Sequence, residues 1–133
     1  MQGLFHVNER QHSAVLFLAA LAKKPEVFQA IGDIARELHM SAGYLEEIVM
    51  ALKSAGLIEG KKGPGGGYRM ARKPEEVTAL DVLVAVEGPL ELVACQRGVV
   101  CPIEHGCSSK KVWTVLQTAM RDSLASIRFS QLV

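Results

Sequence analysis

The stretch from Ile31 to Met70 is what most narrows the folds open to this chain. A helix is expected over about Phe28 to Leu38, with Ile31, Ile34, Ala35 and Leu38 on one face at the helical period. His39-Met40 breaks it. Ser41 is a good N-cap for the next helix, whose buried stripe is Leu45, Ile48, Val49 and Leu52. An acidic first turn suits the positive end of that helix dipole, and Gly56 takes the left-handed position after it. Leu57-Ile58-Glu59 and Tyr68-Arg69-Met70 then read as short strands around Lys61-Lys62-Gly63-Pro64-Gly65-Gly66-Gly67. Helix, turn, helix and a hairpin with a basic tip is the order of a winged helix-turn-helix.

The flanks complete a mainly α chain with one small β-hairpin wing. A first helix is expected from Asn8 to Ala22, carrying Val15, Leu18, Ala19 and Ala22 at the helical period, with Pro25 preventing continuation. Thr78 is N-cap chemistry for a fourth helix through about Val86, ended by Gly88-Pro89. A last helix from about Ser108 to Ser126 carries Val112, Val115, Leu116, Ala119, Leu124 and, just beyond it, Ile127. A chain of 133 residues, 49% hydrophobic, suits one ordinary domain. The division expected is residues 1–76 for the winged helix-turn-helix and 77–133 for a cysteine loop and the long C-terminal helix. The longest apolar run, Ala14 to Ala22, falls far short of a membrane span, and no basic n-region precedes it. A cytoplasmic protein without a membrane partner is the expectation.

A net charge of +1 argues at first sight against nucleic acid, but the charge is not evenly spread. Residues 59–73 carry Lys61, Lys62, Arg69, Arg72 and Lys73 against Glu59, whereas residues 74–94 carry five acids and no base. The basic element coincides with the glycine tip. Its backbone at Gly63, Pro64, Gly65 and Gly66 can approach phosphates or slide into a minor groove, with Lys61, Lys62 and Arg69 neutralising charge. The second helix of the pair is narrow enough to enter the major groove of double-stranded DNA, leading with Ser41, Gly43, Tyr44, Glu46 and Glu47. The hydroxyls suit phosphates or base edges, and Glu46 or Glu47 suits a cytosine amino group. A phosphate-cradling nucleotide loop is rejected, because the glycine run lacks a terminal Gly-Lys-Ser/Thr and feeds a strand.

The cysteines are three, Cys95, Cys101 and Cys107, spaced Cys-x5-Cys-x5-Cys on one Gly/Pro-containing loop. In a reducing compartment such a cluster points to metal or catalysis rather than to a disulfide framework. Zinc knuckles use tighter pairs, so the wide, even spacing favours an iron–sulfur cluster. Thiols that sense oxidation without metal, a zinc site, and a winged domain that docks to protein are the alternatives. No Ser-His-Asp arrangement or carboxylate pair stands out, and Cys107 with His105 has no substrate pocket in sequence, so no enzyme is expected.

Met40-Ser41-Ala42-Gly43-Tyr44-Leu45-Glu46, Ala55-Gly56-Leu57-Ile58, Lys62-Gly63-Pro64-Gly65-Gly66-Gly67-Tyr68-Arg69-Met70-Ala71 and Leu80-Asp81-Val82 through Val86-Glu87-Gly88-Pro89 closely resemble the Rrf-type (IscR/NsrR-like) bacterial transcription regulators. The resemblance spans essentially the whole chain. It implies a homodimer crossed through the long C-terminal helix, which is then a dimerisation helix, bound to palindromic operator DNA. It also implies, for many members, an iron–sulfur cluster that reports on iron, redox state or nitric oxide. Cluster-bearing members share this cysteine spacing, and a two-iron (2Fe–2S) cluster is favoured over a four-iron (4Fe–4S) one. The chain departs from the family at Lys62, where Arg is common, and at Gly43, where a larger polar residue is common. Lys110 stands where some relatives place a ligating His. The resemblance makes His12 the preferred fourth ligand, since some relatives use a first-helix His, with Glu9, Asn8 and His105 as alternatives.

Overall fold

Asn8 opens the first helix with a reciprocal cap. Its side chain accepts from the Gln11 N–H at 2.8 Å, and Gln11 Oε1 accepts from the Asn8 N–H at 3.0 Å. The computed structural model describes residues 3–93, 96, 101–103 and 106–133. In α1 (Glu9–Ala22), Ala14, Phe17, Leu18, Ala20, Leu21 and Ala22 are buried, while Val15 and Ala19 are only half-buried. This helix is apolar nearly all round over its second half, so a single periodic stripe underestimates the width of its buried face.

Helix α2 (Ile31–Leu38) starts three residues later than the periodicity implied. Phe28 to Ala30 stay outside it because Gln29 pairs with Tyr68, each N–H donating to the other's carbonyl at 2.9 Å. The turn to the next helix rests on His39, the one described non-glycine residue in the left-handed region, at φ 56°. Ser41 then caps α3 (Ala42–Ser54), its Oγ accepting from the Tyr44 N–H at 3.1 Å. The expectation of an acidic first turn is corrected here. The first turn, Ala42 to Leu45, holds no acid, and Glu46 and Glu47 sit a turn further on, where the dipole's effect has faded.

Strands β1 (Ile58–Lys61) and β2 (Gly67–Met70) are antiparallel, in register from Ile58–Met70 to Lys61–Gly67. Pairing therefore reaches further than expected and leaves a tip of Lys62 to Gly66. A short 3-10 turn (Pro74–Glu76) leads to α4 (Ala79–Glu87), which Thr78 and Asp81 cap reciprocally at 2.9 and 3.2 Å. The long α5 (Ser108–Ser126) starts on Cys107 and ends in a second 3-10 turn, Phe129–Gln131.

That last turn folds back into the core. The Ala79 N–H donates to Ile127 O at 2.8 Å, and the Phe129 N–H to Val77 O at 3.0 Å. Phe129 is fully buried, in one cluster with Phe17, Leu18, Leu21, Ile34, Leu45, Ile48, Leu52, Leu57 and Val82. Each such side chain contributes about 1.5–3 kcal/mol of transfer free energy. Helix α5 buries no residue within the chain, and Val112 and Val115 are 56% and 72% exposed. Among the described residues, no helix is long and apolar enough to cross a membrane.

Candidate nucleic-acid interface and cysteine loop

The buried stripe of α3 decides what its other side can do. With Leu45, Ile48, Val49 and Leu52 inward, the residues left exposed are Gly43, Glu46, Glu47, Met50, Lys53 and Ser54, one continuous outward face at the helical period. Ser41 is exposed but its hydroxyl is already the cap of the helix. Tyr44 is half-buried and packs against the core. The structure thus sets Gly43, Glu46 and Glu47 on one face, with Ser41 at its leading end and Tyr44 toward its flank. A Cβ added at Gly43 would meet nothing within 4 Å. Its missing side chain is therefore not demanded by packing. Gly43→Ala should raise stability by about 0.5–1 kcal/mol through helix propensity and unfolded-state entropy, read as a higher urea midpoint. An unchanged or lower midpoint would contradict the open space seen there.

The wing is held at a fixed attitude beside this face. Gln29 acts as a third strand position against Tyr68. Gly67, at φ +137°, lies so close that a Cβ would stand 2.2 Å from Gln29 O. At the tip, the Gly66 N–H donates to Gly63 O at 2.9 Å, and a Cβ on Gly66 would stand 2.2 Å from Lys61 O. Pro64 and Gly65 are exposed at the turn, as are Lys61 and Lys62.

Arg69 is tied down within the chain. Its Nε donates to Glu59 Oε1 at 2.6 Å and its Nη1 to Glu26 O at 3.2 Å. Its guanidinium lies 4.3 Å from the centre of the Phe28 ring, and Lys61 Nζ lies 5.7 Å from the same ring. Cation–π contacts of this exposure are worth about 0.5–1 kcal/mol each. Reading by charge alone missed Phe28, Gln29, Glu26 and Glu59 as the wing's anchors. No local signal separated Phe28 from the helix, because it continues the apolar period of Ile31, Ala35 and Leu38.

Of the cysteine loop, Cys101 and Cys107 are described, free and half-buried; Cys95 and His105 lie outside the described residues. Cys107 Sγ accepts from the Lys110 N–H at 3.4 Å and so caps α5. Soft sulfur donors, one of them already taking a backbone N–H at a helix start, fit the chemistry of an iron–sulfur centre. Among the described residues no three His, Cys, Asp or Glu side chains converge as a metal site. His12 and Glu9 are exposed on α1, and Asn8 is committed to capping it and to Glu87 Oε1 at 3.2 Å. Trp113 is half-buried on α5, its Nε1 donating to Ser109 Oγ at 2.8 Å. The start of the loop is fastened on both sides. Gln117 and Arg121 of α5 both donate to Leu90 O, and Glu87 faces Arg10 Nε at 3.8 Å.

Comparison with known proteins agrees with this geometry. An HTH-type transcriptional regulator IscR from Aliivibrio salmonicida is 30% identical over 91% of this chain and 71% of its own length. The structure of CymR, the global cysteine regulator of B. subtilis, superposes with a TM-score of 0.82 at 27% identity, covering 97% of this chain and 96% of that one. IscR from T. potens superposes at 0.80 and 25% identity, covering 97% and 86%. The sequence model of Rrf2, described as an iron-dependent transcriptional regulator, matches residues 7–133. The chain belongs to the Rrf2 family of transcriptional regulators.

Proposed function

We propose that this regulator binds operator DNA as a homodimer and that an iron–sulfur cluster on its cysteine loop sets the affinity. The observation that carries the DNA reading is the outward face of α3 set beside a wing whose attitude is fixed by the Gln29–Tyr68 pairing. In this reading Ser41, Gly43, Tyr44, Glu46 and Glu47 meet the major groove, while Lys61, Lys62 and the Gly63 to Gly66 backbone meet phosphates. Arg69 holds the wing in place. The exposed apolar face of α5 supports pairing with a second copy, since Val112 and Val115 are 56% and 72% exposed.

Cys95, Cys101 and Cys107 would hold the cluster, with His12 of a second copy as fourth ligand. When bound, it supplies an iron centre responsive to redox state or nitric oxide. Leu90 O, held by Gln117 and Arg121, ties the loop to α5, and Glu87 ties the same segment to Asn8 and Arg10 at the start of α1. A change in loop order is passed through these contacts to the spacing of the two α3 helices, shifting the population competent to bind. A second reading, supported by the likeness to CymR, keeps the fold and DNA contacts but has the thiols act without metal.

The test is the visible spectrum and the iron and sulfide content of anaerobically purified protein, followed by DNA binding across a salt series. The expected protein is coloured, and His12→Ala alters its spectrum. Colourless protein that iron and sulfide do not restore would overturn the cluster and leave the thiol reading. Replacing both Lys61 and Lys62 by Ala should flatten the log–log salt dependence by roughly one unit for each phosphate that is no longer neutralised. An unchanged slope would remove the wing from the interface.

A further inference from the structure

Every other member of the outward face of α3 is polar or small: Gly43, Glu46, Glu47, Lys53 and Ser54. Met50 is the exception, and it is 71% exposed. It follows Glu46 by four residues and Glu47 by three, so it continues the same line of side chains along the helix. Beside it lies a notch of about 280 Å³ lined by Ile31, Val49, Met50 and Tyr68, with Glu46 and Lys53 at its rim. Met50 thus leaves most of an apolar side chain in water on a face otherwise built for polar contact, outside the core cluster.

We infer that Met50 is a specificity-determining residue that reads the 5-methyl group of a thymine; the inference rests on the proposal that α3 enters the major groove. The chemistry singles out that partner. The donors and acceptors of the major groove suit Glu46, Glu47 and Lys53, and its one apolar feature is the thymine methyl. Met is unbranched and adaptable, which suits a contact that forms only when the partner arrives. Geometry gives the spacing. Met50 lies seven residues beyond Gly43, about 10.5 Å along the axis at 1.5 Å per residue. With α3 laid along the groove, that distance is about three base-pair steps at 3.4 Å each. Lys53, one turn further on, is placed for the phosphate beyond.

The experiment uses duplexes that the wild-type protein enriches from a random-sequence pool. Each thymine in an enriched duplex is replaced in turn by deoxyuridine, which deletes only the methyl. The expected result is a loss of roughly three- to tenfold at one thymine, or at two related by symmetry, as befits one buried methyl. Met50→Ala should bind the unmodified duplex with a similar loss and show no further loss at that deoxyuridine. Its thermal midpoint should match wild type because the residue is exposed. If Met50→Ala keeps the wild-type deoxyuridine profile, or loses nothing, the inference is overturned and this face is free to meet a protein partner instead. If the wild-type protein enriches no sequence, the underlying reading of α3 fails with it. A duplex enriched by both proteins with identical profiles overturns Met50 alone.

Discussion

Gly67→Ala is expected to be the most damaging single substitution in the wing, lowering stability by about 3–5 kcal/mol and abolishing high-affinity DNA binding. Two costs combine. At φ +137° a side chain is strained by roughly 1–3 kcal/mol. The added methyl would also stand 2.2 Å from Gln29 O and 2.4 Å from Gln29 C, both backbone atoms that cannot swing aside. Relief requires Gln29 to move away, which breaks both 2.9 Å hydrogen bonds to Tyr68, worth about 1 kcal/mol each. Gly63→Ala is the control. It too has a positive φ, +86°, but a Cβ there meets nothing within 4 Å, so only the strain remains. Urea unfolding of the two variants should therefore separate them by about 2 kcal/mol or more. Equal midpoints would show that the close approach of β2 to Gln29 does not hold in solution.

Phe129→Ala should cost about 3–5 kcal/mol, a large part of the 5–15 kcal/mol typical of a domain. Phe129 is fully buried four residues from the end of the chain, and nothing local to it forms a core. Its cover comes from Val77, Val82 and the α1 residues in the same cluster, and its N–H is bonded to Val77 O. The variant should unfold at markedly lower urea concentration, while Val133→Ala, at an exposed position, should match wild type. A Phe129→Ala midpoint within about 0.5 kcal/mol of wild type would mean that the C-terminal turn is not docked.

Much of the architecture was legible because it is written in local terms. Ser41 and Thr78 cap the helices they were expected to cap, and α5 spans the residues its periodicity and flanks implied. The family could be read from the wing and from the Val86-Glu87-Gly88-Pro89 tract for the same reason. These motifs are contiguous, and each answers to one turn or one close approach.

Elsewhere a partner distant in sequence decides the matter. Phe28 to Ala30 follow the helical pattern, yet Gln29 is held in an extended pairing by Tyr68, 39 positions further on. Arg69 looked like a charge for phosphate, and only the fold brings Glu26, Phe28 and Glu59 around its guanidinium. Glu46 and Glu47 were placed by their nearness to the cap, whereas the burial of Leu45, Ile48 and Val49 sets which face they share. By itself the sequence determined the helices, the hairpin and the residue types of both candidate sites, because caps, turns and periodicity act over a few residues. The tertiary structure alone decided which side of α3 is left for a partner, which cation anchors the wing and that Phe129 closes the core. Those outcomes depend on packing between segments far apart in the chain, and no local pattern records that.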